Sequence, residues 1–98
     1  MFTYGVINMP NSLADLPGLG PKSQAMLASA GILNLGQLQA LGAVQAYVQV
    51  RAFNPHASLN LLWALEGALT GVPWQHVARE QRSSVLLALD AVLHQPQP

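Results

Sequence analysis

The stretch LADLPGLGPKS, residues 13–23, decides the fold of this chain. It predicts a short helix at about 13–16 that Pro17 stops, then a tight Gly-x-Gly hairpin and a second helix beginning at Pro21. Glycine at positions 18 and 20 can adopt positive φ, and it has no Cβ to hold a neighbouring backbone away. The stretch is therefore typical of a helix-hairpin-helix.

This hairpin is a candidate phosphate site. Amides at the start of the second helix point outward beside the positive end of the helix dipole, while Ser23 adds a hydroxyl and Lys22 a positive charge. The sequence thus predicts that Gly18, Gly20, Lys22 and Ser23 contact the DNA backbone without reading bases. Pro21 removes one amide from this cradle. The alternative is that Gly-x-Gly is only the tightest joint between two short helices.

The composition favours protein partners over nucleic acid. The 98 residues include 51% apolar side chains and only 8% charged ones, and four cations balance four acidic groups. An average soluble domain carries about 25% charged residues. A neutral, charge-poor surface promotes self-association, whereas nucleic-acid binders usually carry a basic patch. We therefore expect a protein partner or self-association, with DNA as the weaker candidate.

Several function classes are disfavoured by what the sequence lacks. It contains no cysteine, so it has no disulfide, thiolate zinc site or thiol nucleophile. Its start does not resemble a signal peptide, and no stretch approaches the roughly 18 apolar residues of a membrane span. His56, His76 and His94 are too far apart for metal-ligand spacing. We expect a cytoplasmic protein that is not an enzyme and has no cofactor, metal, membrane or small-molecule substrate.

The periodicity and the glycines predict an all-α fold. Asn34 with Gln37 forms a capping box, and Gly31, Gly42 and Gly71 end helices. The predicted helices cover about 21–30, 35–41, 43–53, 58–70 and 79–94, with a short turn at 72–74 and a faint second helix–glycine–helix at 38–43. The prediction is a compact bundle of about five to six short helices, with the helix-hairpin-helix on its N-terminal side.

The domain organisation follows from the same pattern. Residues 1–11 are predicted to form an extended arm, and its apolar side chains need something to pack on. Residues 12–94 form one domain, since a chain of this length supports one modest core. Residues 95–98 are predicted to be a frayed tail.

The predicted helix at 58–70 is apolar on nearly every side and carries one charge, Glu66. A buried unpaired carboxylate is very costly, so we expect Glu66 to form a structural pair with Arg51, Arg79, Arg82 or helix-start amides. The alternative is an interface or ligand contact. On the structural interpretation, Glu66→Ala lowers the melting temperature.

Three neighbours of Glu66 complete the set of structural or interface candidates. Gly67 suits a close approach between helices. Trp63 and Trp74 are predicted to lie in the core, because stacking on nucleic-acid bases needs exposed aromatic rings beside cations. Only Arg79 lies near Trp74 in sequence.

The order of these motifs resembles the C-terminal domain of the TfoX/Sxy family, bacterial proteins linked to competence for DNA uptake. The resemblance covers roughly residues 12–90, and it is carried by residues 13–23, Gly31-Ile32, LQALGAVQAY at 38–47, SLNLLWALEGAL at 58–69, and Trp74.

This resemblance implies a helical, non-enzymatic regulatory domain, since full-length relatives act as transcriptional coactivators of competence genes. Those relatives carry a further domain before this one, for which residues 1–11 are too short, so a stand-alone copy is expected. We expect a macromolecule-binding module that acts through protein contacts. The alternative is weak, sequence-independent binding of the DNA backbone through Gly18–Ser23.

Overall fold

The computed structural model describes residue 13 and residues 19–94. Five helices lie in this range: α1 (Pro21–Ser29), α2 (Leu35–Phe53), α3 (Leu59–Thr70), α4 (Trp74–Glu80) and α5 (Arg82–Leu93). The described residues contain no strand, so the all-α class is confirmed. The predicted arm at 1–11, the tail at 95–98 and most of the predicted helix at 13–16 lie outside the described residues. The helix-hairpin-helix therefore stays a prediction.

Helix α1 begins and ends as its sequence predicts. Pro21 occupies its first turn, where a missing N–H costs nothing. At the other end, Gly31 has φ +84°. The Ile32 N–H donates to the carbonyl of Leu27 at 2.9 Å, and the Gly31 N–H donates to that of Ala28 at 3.0 Å. This is the Schellman motif, and it places Leu27 and Ile32 together in the core.

Helix α2 is interrupted at Gly42, whose φ of +81° and ψ of 164° lie outside the helical region. The two segments on either side correspond to the predicted helices at 35–41 and 43–53. At the start of α2, Asn34 Oδ1 accepts a hydrogen bond from the Gln37 N–H at 2.9 Å. Gln37 Oε1 in turn accepts from the Leu33 N–H at 2.6 Å, one residue earlier than in the standard capping box.

Helix α3 lies at the centre of the fold, packed between α2 and α4. Its buried side chains cover almost its whole circumference, which explains why the sequence is apolar on nearly every side. The segment before α3 is fixed by the buried Tyr47 hydroxyl, which donates to the Ala57 carbonyl at 3.0 Å. Helix α5 packs mainly against α2, and α1 also contacts α2.

The sequence-based prediction is wrong between residues 72 and 82. Trp74 opens the seven-residue helix α4 instead of a turn, and α5 begins at Arg82 instead of at 79. Gln81, at φ −115° and ψ 7°, separates the two helices. A helix of two turns places only Val77 fully inside the core, so its apolar periodicity is too short to be recognised.

Candidate functional site

The described part of the hairpin lies at the start of α1. Gly20 is the residue before the first helical turn, with φ −91° and ψ −175°. This is ordinary extended backbone, so Gly20 does not use the positive φ that glycine permits. Apart from its chain neighbours, no described residue has an atom within 4 Å of the position that a Cβ would occupy there. Gly18 lies outside the described residues.

Lys22 and Ser23 line a depression that we call the α1–α3–α4 groove. It has a volume of about 250 Å³ and is open to solvent. Helix α1 contributes Lys22, Ser23 and Met26, the first turns of α3 and the residue before them contribute Ser58, Asn60, Leu61 and Ala64, and α4 contributes Trp74. Among the described residues, this lining contains one cation and no carboxylate. The groove is therefore electrostatically suited to an anion.

Trp74 lies on this groove instead of in the core. Its side chain is 39% exposed, whereas Trp63 is 3% exposed. The core prediction is thus wrong for Trp74, while Trp63 is buried as expected. Gly67 explains how the Trp74 backbone approaches α3 so closely: a Cβ on Gly67 would lie 2.6 Å from the Val72 carbonyl oxygen and 3.3 Å from the Trp74 nitrogen.

A second depression lies between α2 and α5, and we call it the α2–α5 groove. Its volume is about 350 Å³. The lining comprises Tyr47, Val48, Arg51 and Ala52 of α2 with Leu89 and Leu93 of α5. Leu93 is 56% exposed, and Phe53, the residue after Ala52, is 66% exposed. The Arg51 guanidinium carbon lies 5.9 Å from the centroid of the Tyr47 ring, within cation–π range.

The sequence of this chain matches one known protein family. The model of the TfoX C-terminal domain matches residues 9–89 of this chain. The chain belongs to that family. The family is that of the TfoX/Sxy competence regulators, which are not known as enzymes.

Two named proteins are similar in sequence to this TfoX C-terminal domain. One is the DNA transformation protein TfoX of Haemophilus influenzae, 32% identical over 82 residues, which make up 84% of this chain and 38% of the relative. The other is protein Sxy of Escherichia coli, 32% identical over 65 residues, or 66% of this chain and 31% of the relative. The chain thus spans less than two fifths of the length of either relative.

Solved structures share the fold of this TfoX C-terminal domain. The triclinic crystal form of an uncharacterised Listeria monocytogenes protein superposes with a TM-score of 0.71 at 22% identity, covering 88% of this chain and 98% of that one. A tetragonal form of a Listeria monocytogenes protein of unknown function also gives 0.71, at 24% identity, covering 84% and 100%. At these identities the likeness establishes the fold alone.

Glu66 does not form the ion pair that the sequence predicts for it. It is half-buried, and within residues 19–94 the only ion pair joins Asp90 to His94, at 3.0 Å. Glu66 instead borders a solvent-open depression of about 350 Å³ between α2, α3 and α5. Arg82, one of its predicted partners, lies over the Trp63 ring at 5.6 Å from the centroid. A carboxylate that reaches water needs no cationic partner.

Glu66→Ala is therefore expected to change the free energy of unfolding by less than about 1 kcal/mol. The substitution removes no ion pair and places a stronger helix former in α3. Chemical denaturation of the variant beside the parent measures the change. A loss of more than about 2 kcal/mol would restore the structural role first expected of this carboxylate.

The described residues at these grooves do not form a metal-binding cluster. Within the part of the chain that the structure describes, no three His, Cys, Asp or Glu side chains are placed to hold a metal ion. His56 and His94 are exposed, and His76 is half-buried on α4. In the same residues no helix has the length and hydropathy to cross a membrane.

Sequence reasoning found two groove residues of α1 but missed their neighbours. Lys22 and Ser23 carried a motif signal, whereas Ser58 and Asn60 lie more than thirty positions away and enter the groove only because α3 packs there. No periodicity distinguishes such residues from other polar positions at a helix start. The α2–α5 groove was also missed, since it joins helices from distant parts of the chain.

Proposed function

We propose that this TfoX C-terminal domain is a non-enzymatic module that binds a partner protein through the α2–α5 groove. The observation that carries the proposal is the largely apolar lining of that groove, where Leu93 is 56% exposed. Single exposed apolar residues are common, but a contiguous apolar depression marks an interaction site. The proposed setting is cytoplasmic regulation of competence, since one relative is named a DNA transformation protein.

The residue types at this groove suit protein recognition. Arginine is enriched among the side chains that dominate binding energy, and the exposed Arg51 lies over the buried Tyr47 ring. The remaining lining is aliphatic, from Val48, Leu89 and Leu93. A groove between two helices receives an amphipathic partner helix in a recurring mode of recognition. The occupant that fits is an apolar partner segment bearing a carboxylate for Arg51, the one charged side chain of the lining.

Site-specific photocrosslinking in living cells tests this proposal. A photoreactive amino acid replaces Ala52 or Leu93 in the groove, and Leu87 on the same helix as Leu93 serves as the matched control. Leu87 is 71% exposed and does not line the groove. We expect one discrete adduct from positions 52 and 93 that is absent from position 87. Its identity is read by mass spectrometry.

The outcomes separate the possible occupants. An adduct of twice the mass of this chain identifies a second copy as the occupant, and a larger adduct identifies a different protein. A second copy would also give concentration-dependent light scattering that Leu93→Asp removes and Leu87→Asp does not. Absence of any adduct from positions 52 and 93, or equal adducts from all three positions, refutes the groove as a protein site.

A second candidate function is weak binding of the nucleic-acid backbone by Gly18, Gly20, Lys22 and Ser23. It is favoured by the groove beside Lys22 and Ser23, where the lining residues that the structure describes include no carboxylate to repel a phosphate. With so few cations, the affinity should fall with salt by a slope of only about one or two phosphates. If Lys22→Ala combined with Gly20→Asp leaves low-salt binding to duplex DNA intact, the hairpin is not the site.

A further inference from the structure

We infer that the α1–α3–α4 groove receives one unpaired base of a single-stranded nucleic acid, stacked on Trp74, with the adjoining phosphate at Lys22 and Ser23. This inference rests on the second candidate function. It extends that function from backbone contact to recognition of an unpaired strand. It also assigns roles to side chains on three helices that are distant in sequence.

Trp74 provides an exposed aromatic ring on the α1–α3–α4 groove. The indole is partly open to solvent although the same chain buries its other tryptophan, Trp63, almost completely. The Trp74 backbone is held against Gly67 of α3, so the ring is presented on a fixed support. An exposed aromatic ring beside a cation is the usual platform on which unpaired bases stack. Lys22 supplies that cation on the same groove.

Two polar side chains of the groove, Ser58 and Asn60, can hydrogen-bond to a base. Ser58 precedes the first turn of α3, where a serine hydroxyl commonly accepts a hydrogen bond from a helix amide, yet it makes no such bond. Asn60 is exposed in that first turn, and its side-chain amide provides both a donor and an acceptor. These groups match the donors and acceptors that a base carries on its edge, and they lie on the same depression as the Trp74 ring.

The charge of the groove, together with the difference between paired and unpaired strands, indicates which ligand binds there. Since Lys22 is the one charged side chain among the described residues of the lining, the groove attracts a phosphate. In a duplex the bases stack on one another, so their faces are unavailable for stacking on a protein side chain. A phosphodiester chain with an unpaired base is therefore the ligand that uses both the ring and the cation. DNA and RNA share this chemistry.

Fluorescence anisotropy with labelled oligothymidylate, oligouridylate and duplex DNA of about 12 nucleotides provides the test. Trp74→Ala is expected to weaken single-strand binding about tenfold and duplex binding less than about twofold. Trp74→Phe should retain most of the affinity, because it keeps an aromatic face. Phe53→Ala is the matched control, since it removes an exposed aromatic residue outside the groove, and it should leave binding unchanged.

Intrinsic fluorescence gives a readout that does not depend on the alanine variant folding. The chain has two tryptophans, and stacking of a base on Trp74 should quench part of the emission of the parent protein. In Trp74→Phe only the buried Trp63 remains, so the quenching should disappear while the oligonucleotide still binds. Quenching that persists in Trp74→Phe contradicts the stacked geometry.

The results separate this inference from the function on which it rests. If duplex and single strand bind equally and Trp74→Ala changes neither, backbone contact stands and base stacking is refuted. If no oligonucleotide binds at low salt, both fall. Lys22→Gln should reduce the salt slope by about one for every strand form.

Discussion

Gly67→Ala is expected to lower the free energy of unfolding by about 3 kcal/mol, because it overpacks the contact between α3 and the start of α4. The new Cβ would lie 2.6 Å from the Val72 carbonyl oxygen and 3.3 Å from the Trp74 nitrogen. Both are backbone atoms, and they cannot swing aside as the end of a side chain does. The helix must therefore separate from the segment that follows it. Urea denaturation followed by far-UV circular dichroism measures the loss.

Gly36→Ala is the matched control for this variant. Gly36 lies exposed in the first turn of α2, and a Cβ there would meet only the side-chain oxygen of Asn34, at 3.3 Å. We expect a change below about 1 kcal/mol in either direction, since alanine's helix propensity offsets the small adjustment. Equal stability changes in Gly67→Ala and Gly36→Ala would mean that the close approach at Gly67 is not what holds α4 in place.

Gly42→Ala is expected to cost about 2–3 kcal/mol through the backbone alone. At φ +81° and ψ 164°, Gly42 occupies a region that is essentially closed to residues with a Cβ. There is open space around the position, so no steric contact contributes. The break lets both segments of α2 bury side chains, Leu38 before it and Tyr47 after it. Straightening the helix to relieve the alanine would withdraw one of these groups from the core.

Gly71→Ala isolates this effect, because Gly71 also has φ +81° but with ψ 19°. That left-handed conformation costs an ordinary residue about 1–2 kcal/mol. We expect Gly42→Ala to be the more destabilising of the two in denaturation experiments. If both substitutions cost the same, the unusual ψ at Gly42 carries no additional energy, and a bend of α2 by other means must be assumed.

Local signals explain why much of the fold was predictable. Proline at the start of α1, the glycines at 31, 42 and 71 and the Asn34 cap each fix a helix end through contacts within a few residues. Helix α4 was not predictable for the opposite reason: its stability comes from packing on α3 at Gly67 and from burial of Val77. Neither contact is visible in a seven-residue window.

The same difference between local signals and tertiary packing separates the site residues that the sequence predicted from those that it did not. Lys22 and Ser23 were found because a motif marks them. The exposure of Trp74 and the solvent access of Glu66 were not, since apolar spacing alone cannot tell a groove wall from a core position. The sequence also suggested that a lone carboxylate on α3 must pair with an arginine, whereas a depression beside α5 lets it reach water.

The packing of α5 on α2 has a consequence for the order of folding. Helices α1 to α4 pack mainly against their neighbours in the chain, whereas α5 returns across the molecule to α2. Short-range packing forms early and long-range closure late, so α5 should dock last and open first. A partner bound across Arg51 and Leu93 would keep α5 docked on α2. Amides of α5 should then exchange hydrogen more slowly in the complex, while those of α3 keep their rates.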